Sequence, residues 1–263
     1  MLAFLIIFVP IVGGLVSIGI AQVGPKWRNR FVLLISALTV LLSVYLLIFM
    51  QAQGPVTFSY PRLLPPFGIS FQIDWLSVIL IMIASSIWLL ATVYSFDYMQ
   101  ESKNQTRYHA TSLVTLGATI GTFLAGDLVT MFLFFELMSL ASFVLVIHEG
   151  SPAAMKAGYL YLIMTIGGGL ALLFGIIAVY QLTGTVAFAA SGYLATNSSL
   201  AMGALIAFMI GFGMKAGMFP LHVWLPEAHP VAPSPASALL SGVMLKVGAF
   251  GLIRTGFNVF KFQ

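Results

Sequence analysis

Apolar runs of about twenty residues alternate with short polar connections along most of the chain. A helix needs roughly 20 apolar residues to cross the hydrocarbon core of a bilayer. The pattern therefore predicts an all-α integral membrane protein with about eight transmembrane helices. These predicted helices span residues 1–21, 31–50, 73–96, 110–125, 128–147, 157–181, 200–219 and 235–257.

The longest polar connection, residues 51–72, lies between the second and third predicted helices. It holds four prolines and some alternation of apolar and polar residues, which is typical of an outer loop with a short hairpin. We interpret residues 1–109 as an N-terminal part with three helices and this loop. Residues 110–263 form a second part with the fourth to eighth helices.

Composition supports a membrane protein, with 60% hydrophobic and 7% charged residues, against about 45–50% and 25% in soluble domains. The chain has no cysteine, which excludes thiolate metal sites, iron–sulfur ligation and disulfides within it. Any redox cofactor must therefore lie in another protein. The first apolar run lacks a basic segment and a cleavage site, so we expect a retained helix and no signal peptide.

Basic residues predict the orientation. Lys26, Arg28 and Arg30 follow the first helix, and cytoplasmic loops are enriched in Lys and Arg. Alternation then places residues 97–109, 148–156 and 220–234 on the inner side as well, giving six basic residues inside and three outside. We expect a multi-pass protein of the cell inner membrane with its N-terminus outside.

Two lysines, Lys215 and Lys246, interrupt the last two apolar runs. A lysine at the centre of a membrane helix costs roughly 2.5–3.5 kcal/mol on insertion scales, so it is usually kept for an ion path or a partner charge. Gly213 and Gly217 flank Lys215, and Pro220 cannot donate to the helix. These residues predict a helix break just after Lys215, next to a polar cavity.

Glu136 lies in the middle of the fifth predicted helix, nine residues from Asp127 and twelve from His148. An opposite charge on a neighbouring helix would hold such a carboxylate ionised. Glu136 and Lys215 are therefore a candidate switchable pair for proton movement. The alternative is a static ion pair that only fixes helix packing.

We consider two interpretations for each of the other ionisable residues. Lys246 either passes protons onward from Lys215 or extends its side chain to the membrane surface. From the middle of a span, a lysine side chain is too short to reach either surface comfortably. Lys156 either flanks its helix or acts near the Glu136–Lys215 pair. The span-end carboxylates Asp74, Asp97 and Asp127 are interpreted as helix caps or as residues solvated at the interface. Arg254 either extends to the outer surface or binds a neighbouring helix.

His222, Glu227 and His229 lie in the Pro-rich connection after Lys215 and could feed protons inward. They also resemble a metal-ligand cluster, although the two histidines lack the His-x-x-x-His helical spacing. The sequence has no phosphate-binding loop and no catalytic triad motif. We therefore predict no catalytic, cofactor or metal site in this chain, and leave open whether it belongs to an enzyme.

Three stretches resemble one family: FFELMSLASFVLV with Glu136, AAMKAGYLYL with Lys156, and GFGMKAGMFPLHVWLPEAHPVAPSPASALLSGVMLKVGAFGLIR with Lys215 and Lys246. They are similar to the antiporter-like proton-translocating subunits of respiratory complex I, multisubunit Na⁺/H⁺ antiporters and group 4 membrane-bound [NiFe] hydrogenases. The HPVAPSPASALLSGVMLK run looks most like the formate hydrogenlyase and hydrogenase-4 branch. The resemblance is strong over residues 121–254.

The resemblance implies roles for the matching residues. Glu136 would be the acid of the fifth helix, Lys215 its partner on the broken seventh helix, Lys246 the central lysine of the eighth, and Lys156 a residue that tunes the pair. The implied function is redox-driven translocation of protons or sodium. The Ni–Fe centre and iron–sulfur clusters would lie in partner subunits, and no quinone site is expected here.

Family members usually have about fourteen helices around two inverted five-helix repeats, and the fourth to eighth helices would form only the first repeat. We expect lipid, other membrane subunits including a separate chain with the second repeat, and peripheral redox subunits as partners, and no nucleic acid. The alternatives are a complex I or Na⁺/H⁺ antiporter subunit, a non-conducting structural or assembly subunit, and a stand-alone or carbon-uptake transporter.

Overall fold

The computed structural model describes residues 2–65 and 67–261. Met1, Pro66, Phe262 and Gln263 lie outside the described residues, so the start of the first predicted helix, one loop proline and the end of the second part are not assessed. The described residues form α1 (Leu2–Ile20), α2 (Pro25–Gln53), β1 (Val56–Tyr60), β2 (Ile69–Ile73), α3 (Trp75–Tyr98), α4 (Gln105–Leu124), α5 (Leu128–Val146), α6 (Pro152–Thr183), α7 (Ser199–Ala216), α8 (Trp224–Val231), α9 (Ser234–Leu239) and, after a π-helical turn (Leu240–Met244), α10 (Leu245–Asn258).

The all-α membrane class is confirmed. Seven helical segments of the described residues are long and apolar enough to cross a bilayer: α1, α2, α3, α5, α6, α7 and the segment Ser234–Asn258. The remaining predicted helix, the fourth (residues 110–125), corresponds to α4, which has 20 residues, enough for about 30 Å of helix. The total of eight spans therefore stays a prediction.

α4 is the most enclosed helix, packed between α1 and α5. Its threonines donate to their own backbone, for example Thr115 Oγ1 to the Thr111 carbonyl at 2.7 Å, so they are satisfied without water. A Cβ at Gly117 would lie 2.5 Å from the Ile7 carbonyl, and one at Gly121 would lie 2.3 Å from the Phe134 ring. These close approaches explain how a less apolar helix lies inside the bundle.

The predicted hairpin and two of the predicted caps are present, whereas the third span-end carboxylate, Asp97, is exposed in the last turn of α3. β1 and β2 pair antiparallel, with Phe58 opposite Phe71. Asp74 accepts from the Ser77 amide at the start of α3, and Asp127 accepts from the Thr130 amide at the start of α5. The carboxylates of Asp74 and Asp127 therefore accept from backbone amides that have no intrahelical acceptor at a helix N-terminus.

The predicted boundaries were wrong at several helices. α2 and α6 each begin about five residues earlier than predicted, because Pro25 and Pro152 occupy the first helical position, where proline is favoured. α7 ends at Ala216, three residues before the predicted end at residue 219. The last predicted helix is divided into α9, the π-helical turn and α10.

The end of α7 is set by Gly217, whose φ of +73° is the left-handed conformation that favours glycine. The Met218 amide donates to the Gly213 carbonyl at 2.9 Å and the Gly217 amide to the Met214 carbonyl at 3.2 Å. This pair of bonds is the Schellman arrangement that closes a helix C-terminus. The chain then turns over residues 217–223 before α8, and Pro220 lies within that turn.

Candidate functional site

The site is built around Lys215, whose side chain is 0% exposed. It lies in the last turn of α7, not near the middle of a span, because Gly217 ends the helix so early. Its Nζ donates to the Tyr161 hydroxyl and lies 4.8 Å from the Tyr161 ring centre and 5.9 Å from that of Trp224. The negative end of the helix dipole and the two ring faces all favour a cation at this point.

Tyr161 connects Lys215 to α5. Its hydroxyl lies 2.6 Å from Ser142 Oγ, and Ser142 Oγ donates to the Ser139 carbonyl at 2.9 Å. Because the Ser142 hydrogen is used on that carbonyl, Ser142 accepts from Tyr161, and Tyr161 accepts from Lys215. The chain of donors therefore runs from Lys215 through Tyr161 and Ser142 to the backbone of α5.

Trp224 closes the site from α8. Its indole Nε1 donates to the Met214 carbonyl at 2.9 Å, and its ring centre lies 4.9 Å from that of Tyr161. The Met214 carbonyl also accepts from the Gly217 amide at 3.2 Å, so the indole gives it a second hydrogen bond. This bond fixes α8 over the end of α7, where the Trp224 ring covers Lys215.

Glu136 lies near the middle of α5 and against α6. A Cβ at Gly169 would lie 2.6 Å from Glu136 Oε1, so only a glycine leaves room for the carboxylate. Oε1 is buried and has no hydrogen-bond partner among the described residues. Lys215 acts on this carboxylate electrostatically, but the ion pair within 4.0 Å in the described part of the chain joins Arg254 to Asp74. Glu136 and Lys215 are thus neighbours that do not touch.

Lys246 points to the surface of the chain and not toward Lys215. Its side chain is exposed, and Nζ donates to the Ser241 carbonyl at 2.7 Å. Ser241 lies in the π-helical turn, where the backbone repeat is wider than in an α-helix. The relay role of Lys246 stays a prediction, and the hydrogen bond that Nζ makes among the described residues is to a backbone carbonyl.

Lys156 is exposed in the first turns of α6, with no hydrogen bond or ion pair to another described residue. This placement favours a flanking charge over a direct role at the Glu136–Lys215 pair, and its tuning role stays a prediction.

The structure does not bring His222, Glu227 and His229 together into one site. His222 is half-buried after α7, with its ring centre 5.7 Å from that of Phe219. Glu227 and His229 are exposed on α8, and His229 Nδ1 contacts the Ser237 hydroxyl. No group of three potential metal ligands is found among residues 2–65 and 67–261.

Sequence reasoning missed Tyr161, Ser142 and Trp224, which hold Lys215. A usable signal was present, because a tyrosine or tryptophan within an apolar run usually finds a hydrogen-bond partner when buried. His148, which follows α5, is also buried, and its burial has no signal in the sequence. His148 lines a polar cavity of about 460 Å³ with Tyr98, Glu101, Ser102, Lys103 and Glu149.

Comparison with known proteins gives two family matches. Residues 125–263 match the family "NADH:quinone oxidoreductase/Mrp antiporter, TM", and residues 66–109 match "NADH-Ubiquinone oxidoreductase (complex I), chain 5 N-terminus". The chain is 32% identical over 209 residues to hydrogenase-4 component B of Escherichia coli, covering 75% of this chain and 30% of that protein. It is 35% identical over 223 residues to mnhD2 of Staphylococcus aureus, named as an antiporter subunit, covering 82% of this chain and 44% of that protein.

Two solved structures share the fold. One is a chain of the membrane-bound sulfane sulfur reductase, an archaeal respiratory complex, with a TM-score of 0.86, 22% identity and coverage of 96% of this chain and 52% of that chain. The other is a chain of the Mrp complex from Dietzia sp. DQ12-45-1b, with a TM-score of 0.82, 22% identity, and coverage of 97% and 49%. This chain thus spans about half the length of those proteins and less than half of the curated relatives. Because one profile matches more than half of its residues, the chain belongs to the NADH:quinone oxidoreductase/Mrp antiporter family of membrane subunits.

Proposed function

We propose that this chain is an ion-translocating module of a multisubunit, redox-driven membrane complex, in which Glu136 and Lys215 exchange protons. The single observation that carries the proposal is Lys215, a lysine with 0% exposure that lies within electrostatic range of the half-buried Glu136 without contacting it. A static ion pair would place the two groups in direct contact. A separated pair has two arrangements, as a proton-driven switch requires.

The partner class is a hydrogenase or formate hydrogenlyase type of complex. The support is the HPVAPSPASALLSGVMLK run and the 32% identity to hydrogenase-4 component B. The Ni–Fe centre and iron–sulfur clusters would lie in peripheral partner subunits, since this chain has no cysteine to bind them. A multisubunit Na⁺/H⁺ antiporter is the second candidate, on the 35% identity to mnhD2. Complex I is a further alternative.

The channel would be completed by another membrane subunit. The relatives are about twice as long, and the residues beyond the match would correspond to a second five-helix repeat. Lys246 supports this proposal, because a lysine exposed on the surface of a membrane helix needs a polar neighbour. A fully conducting complex that contains no such subunit would contradict it. We place the complex in the cell inner membrane with the N-terminus of this chain outside.

The test uses the purified complex in proteoliposomes. Glu136→Gln and Lys215→Met should each abolish coupled ion transport, because each removes one member of the exchanging pair, while Glu149→Gln and Lys26→Met, at exposed positions, should leave it unchanged. Ion uptake and complex assembly are measured together. Normal transport by both site variants would overturn the proposal and favour a structural or assembly subunit.

The branch is decided by native mass spectrometry of the complex extracted in mild detergent. A [NiFe] large subunit beside a chain with the missing repeat would support the hydrogenase assignment. NADH- or quinone-linked peripheral subunits would favour complex I. Absence of any redox subunit would favour the antiporter or carbon-uptake alternatives.

A further inference from the structure

The hydrogen bond that Lys215 makes is to a neutral tyrosine, although a carboxylate lies nearby. An ammonium has three donors and prefers an ionised acceptor, for which hydrogen bonds are shorter and stronger. Glu136 Oε1 is buried and free to accept. Lys215 nevertheless donates to Tyr161, which is fixed in turn by Ser142. The lysine is therefore held away from its strongest available partner.

Two unpartnered hydroxyl groups lie on the helix faces that carry Glu136 and Tyr161. Ser139 lies one turn along α5 from Glu136, and Thr165 lies between Tyr161 and Gly169 on the facing side of α6, each four residues away. Residues at this spacing share one helix face. Ser139 Oγ and Thr165 Oγ1 are buried without partners among the described residues. Together with the equally unpartnered Glu136 Oε1, these hydroxyls would form a polar passage inside an apolar bundle.

We propose that Tyr161 is a positioning residue of the ion-transfer site, whose hydroxyl competes with Glu136 for Lys215 and so keeps the pair in its separated arrangement until the ion arrives. This inference rests on the proposed function of Glu136 and Lys215. In the separated arrangement, Lys215 is bonded to Tyr161 and the passage along Ser139 and Thr165 is open. In the paired arrangement, the flexible four-carbon stem of Lys215 carries its ammonium to Glu136.

The groups around Lys215 support this two-position arrangement. α5 contributes Glu136, α6 contributes Tyr161, and α8 contributes the uncharged ring of Trp224. On α10, Lys246 points to the surface, and Arg254 is already paired with Asp74 of α3. Among these elements, Glu136 is therefore the acceptor that Lys215 would turn to without the tyrosine hydroxyl.

The test is Tyr161→Phe in the complete complex, with Tyr159→Phe as the matched control. Tyr159 lies on the same helix and is 56% exposed, so its hydroxyl is outside the site. The phenyl ring keeps the packing against Trp224 and Lys215, while the hydroxyl is lost. We expect transport to fall roughly tenfold, the factor that loss of one hydrogen bond to a charged group implies. The pH profile of transport should also shift, because the ammonium of Lys215 then lies against Glu136 and not against a hydroxyl.

A merely structural role would lower the amount of assembled complex or the maximal rate, but would leave the pH profile in place. Infrared spectroscopy supplies an independent measurement: the carboxylate band that disappears in Glu136→Gln should shift in Tyr161→Phe and not in Tyr159→Phe. If Glu136→Gln and Lys215→Met abolish transport while Tyr161→Phe matches Tyr159→Phe in rate, profile and band, only this inference is overturned. If Glu136→Gln and Lys215→Met transport normally, the proposed function itself fails.

Discussion

His148 is held neutral by its surroundings at the connection between α5 and α6. Burial, followed by the nearby Arg107 guanidinium, lowers the pKa of His148 from its ordinary 6.5 to about 4. Its Nε2 lies 3.0 Å from Ser102 Oγ, and its carbonyl accepts from Arg107 at 2.9 Å. This side chain thus ties the connection before α4 to the end of α5 in its uncharged form.

We predict that acid loosens this connection. Between pH 6.5 and about 4 the unfolded chain binds a proton at His148 and the folded chain does not, so stability falls as the pH falls through this window. Thermal unfolding of the detergent-solubilised complex, followed from pH 7.5 to 4.5, measures the effect. His148→Gln should give a flatter dependence than the wild type, and His229→Gln, at an exposed position, should not. Parallel curves for His148→Gln and the wild type would contradict the prediction.

At the level of single residues, the sequence predicted which charged side chains are unusual, but it did not predict which groups those side chains contact. Glu136 and Lys215 stand out because charge inside an apolar run is expensive. Their separation could not be predicted, because it depends on how α5, α6 and α7 are rotated about their own axes. The exposure of Lys246 has the same cause: helix periodicity assigns residues to faces, but which face meets a neighbour is decided by the assembled bundle.

At the level of helices, the packing of α6 against α5 sets the space that is available to the Glu136 carboxylate. Gly167, Gly168 and Gly169 are consecutive on α6, yet a Cβ at Gly169 would lie 2.6 Å from Glu136 Oε1, whereas one at Gly167 would have nothing within 4 Å. The atom that Gly169→Ala meets is the end of a flexible side chain, so the helix can keep its place while the carboxylate moves.

We therefore predict that Gly169→Ala lowers transport by tenfold or more, on the order of the loss seen when a reacting group is misplaced by about an ångström. Its folded yield should stay near that of the wild type. Gly167→Ala should transport normally and be slightly more stable, since alanine is favoured over glycine in helices by about 1 kcal/mol. Ion uptake in proteoliposomes and thermal unfolding of both variants measure this. Equal transport by the two variants would mean that the position of Glu136 is not critical.

Some helix ends follow from local chemistry and others do not. The glycine–proline pattern after Lys215 predicts a break, and the chain indeed leaves the helix at Gly217. The π-helical turn at Leu240–Met244 has no such signal, because Gly242 is its only residue of unusual backbone preference and is itself in open space. That turn is set by packing of α9 and α10 against their neighbours, which propensity does not encode.

At the scale of the whole molecule, one buried ion pair joins the last helix to the first half of the chain. Arg254 on α10 contacts Asp74 at 2.5 Å and Ser77 Oγ at 2.9 Å at the start of α3. Asn at position 74 keeps the helix cap but leaves the buried guanidinium without its counter-charge. We predict that Asp74→Asn lowers the free energy of unfolding by about 3 kcal/mol, the usual cost of breaking a buried pair from one side.

Thermal unfolding in detergent measures this loss. Asp97→Asn, an exposed carboxylate at the other end of α3, is the matched control and should unfold like the wild type. The double change Asp74→Asn with Arg254→Met should be less damaging than Asp74→Asn alone, because no unpaired charge remains. An equal loss in the single and double variants would show that Asp74 acts through its cap and not through Arg254.

The surface that carries Lys246 can be tested for contact with a second subunit in the complete assembly. The chain has no cysteine, so Lys246→Cys and Leu170→Cys each introduce a single thiol into it. Leu170 is 63% exposed on α6 and has the apolar side chain expected toward lipid. If a second membrane subunit covers Lys246 across a hydrated interface, a thiol at 246 should react with a water-soluble maleimide. A photoreactive reagent attached to this thiol should then crosslink to a neighbouring subunit.

The thiol at 170 should do neither, because ionised thiolate is the reactive form and hydrocarbon suppresses it. Mass spectrometry of the crosslinked band then identifies the partner, and a chain that resembles the unmatched half of the relatives is the expected result. If the thiol at 246 stays as unreactive as the thiol at 170, or crosslinks only to lipid, Lys246 lies against the bilayer. The channel would then have to be completed on another face of this chain, and the relay role of Lys246 would fail with it.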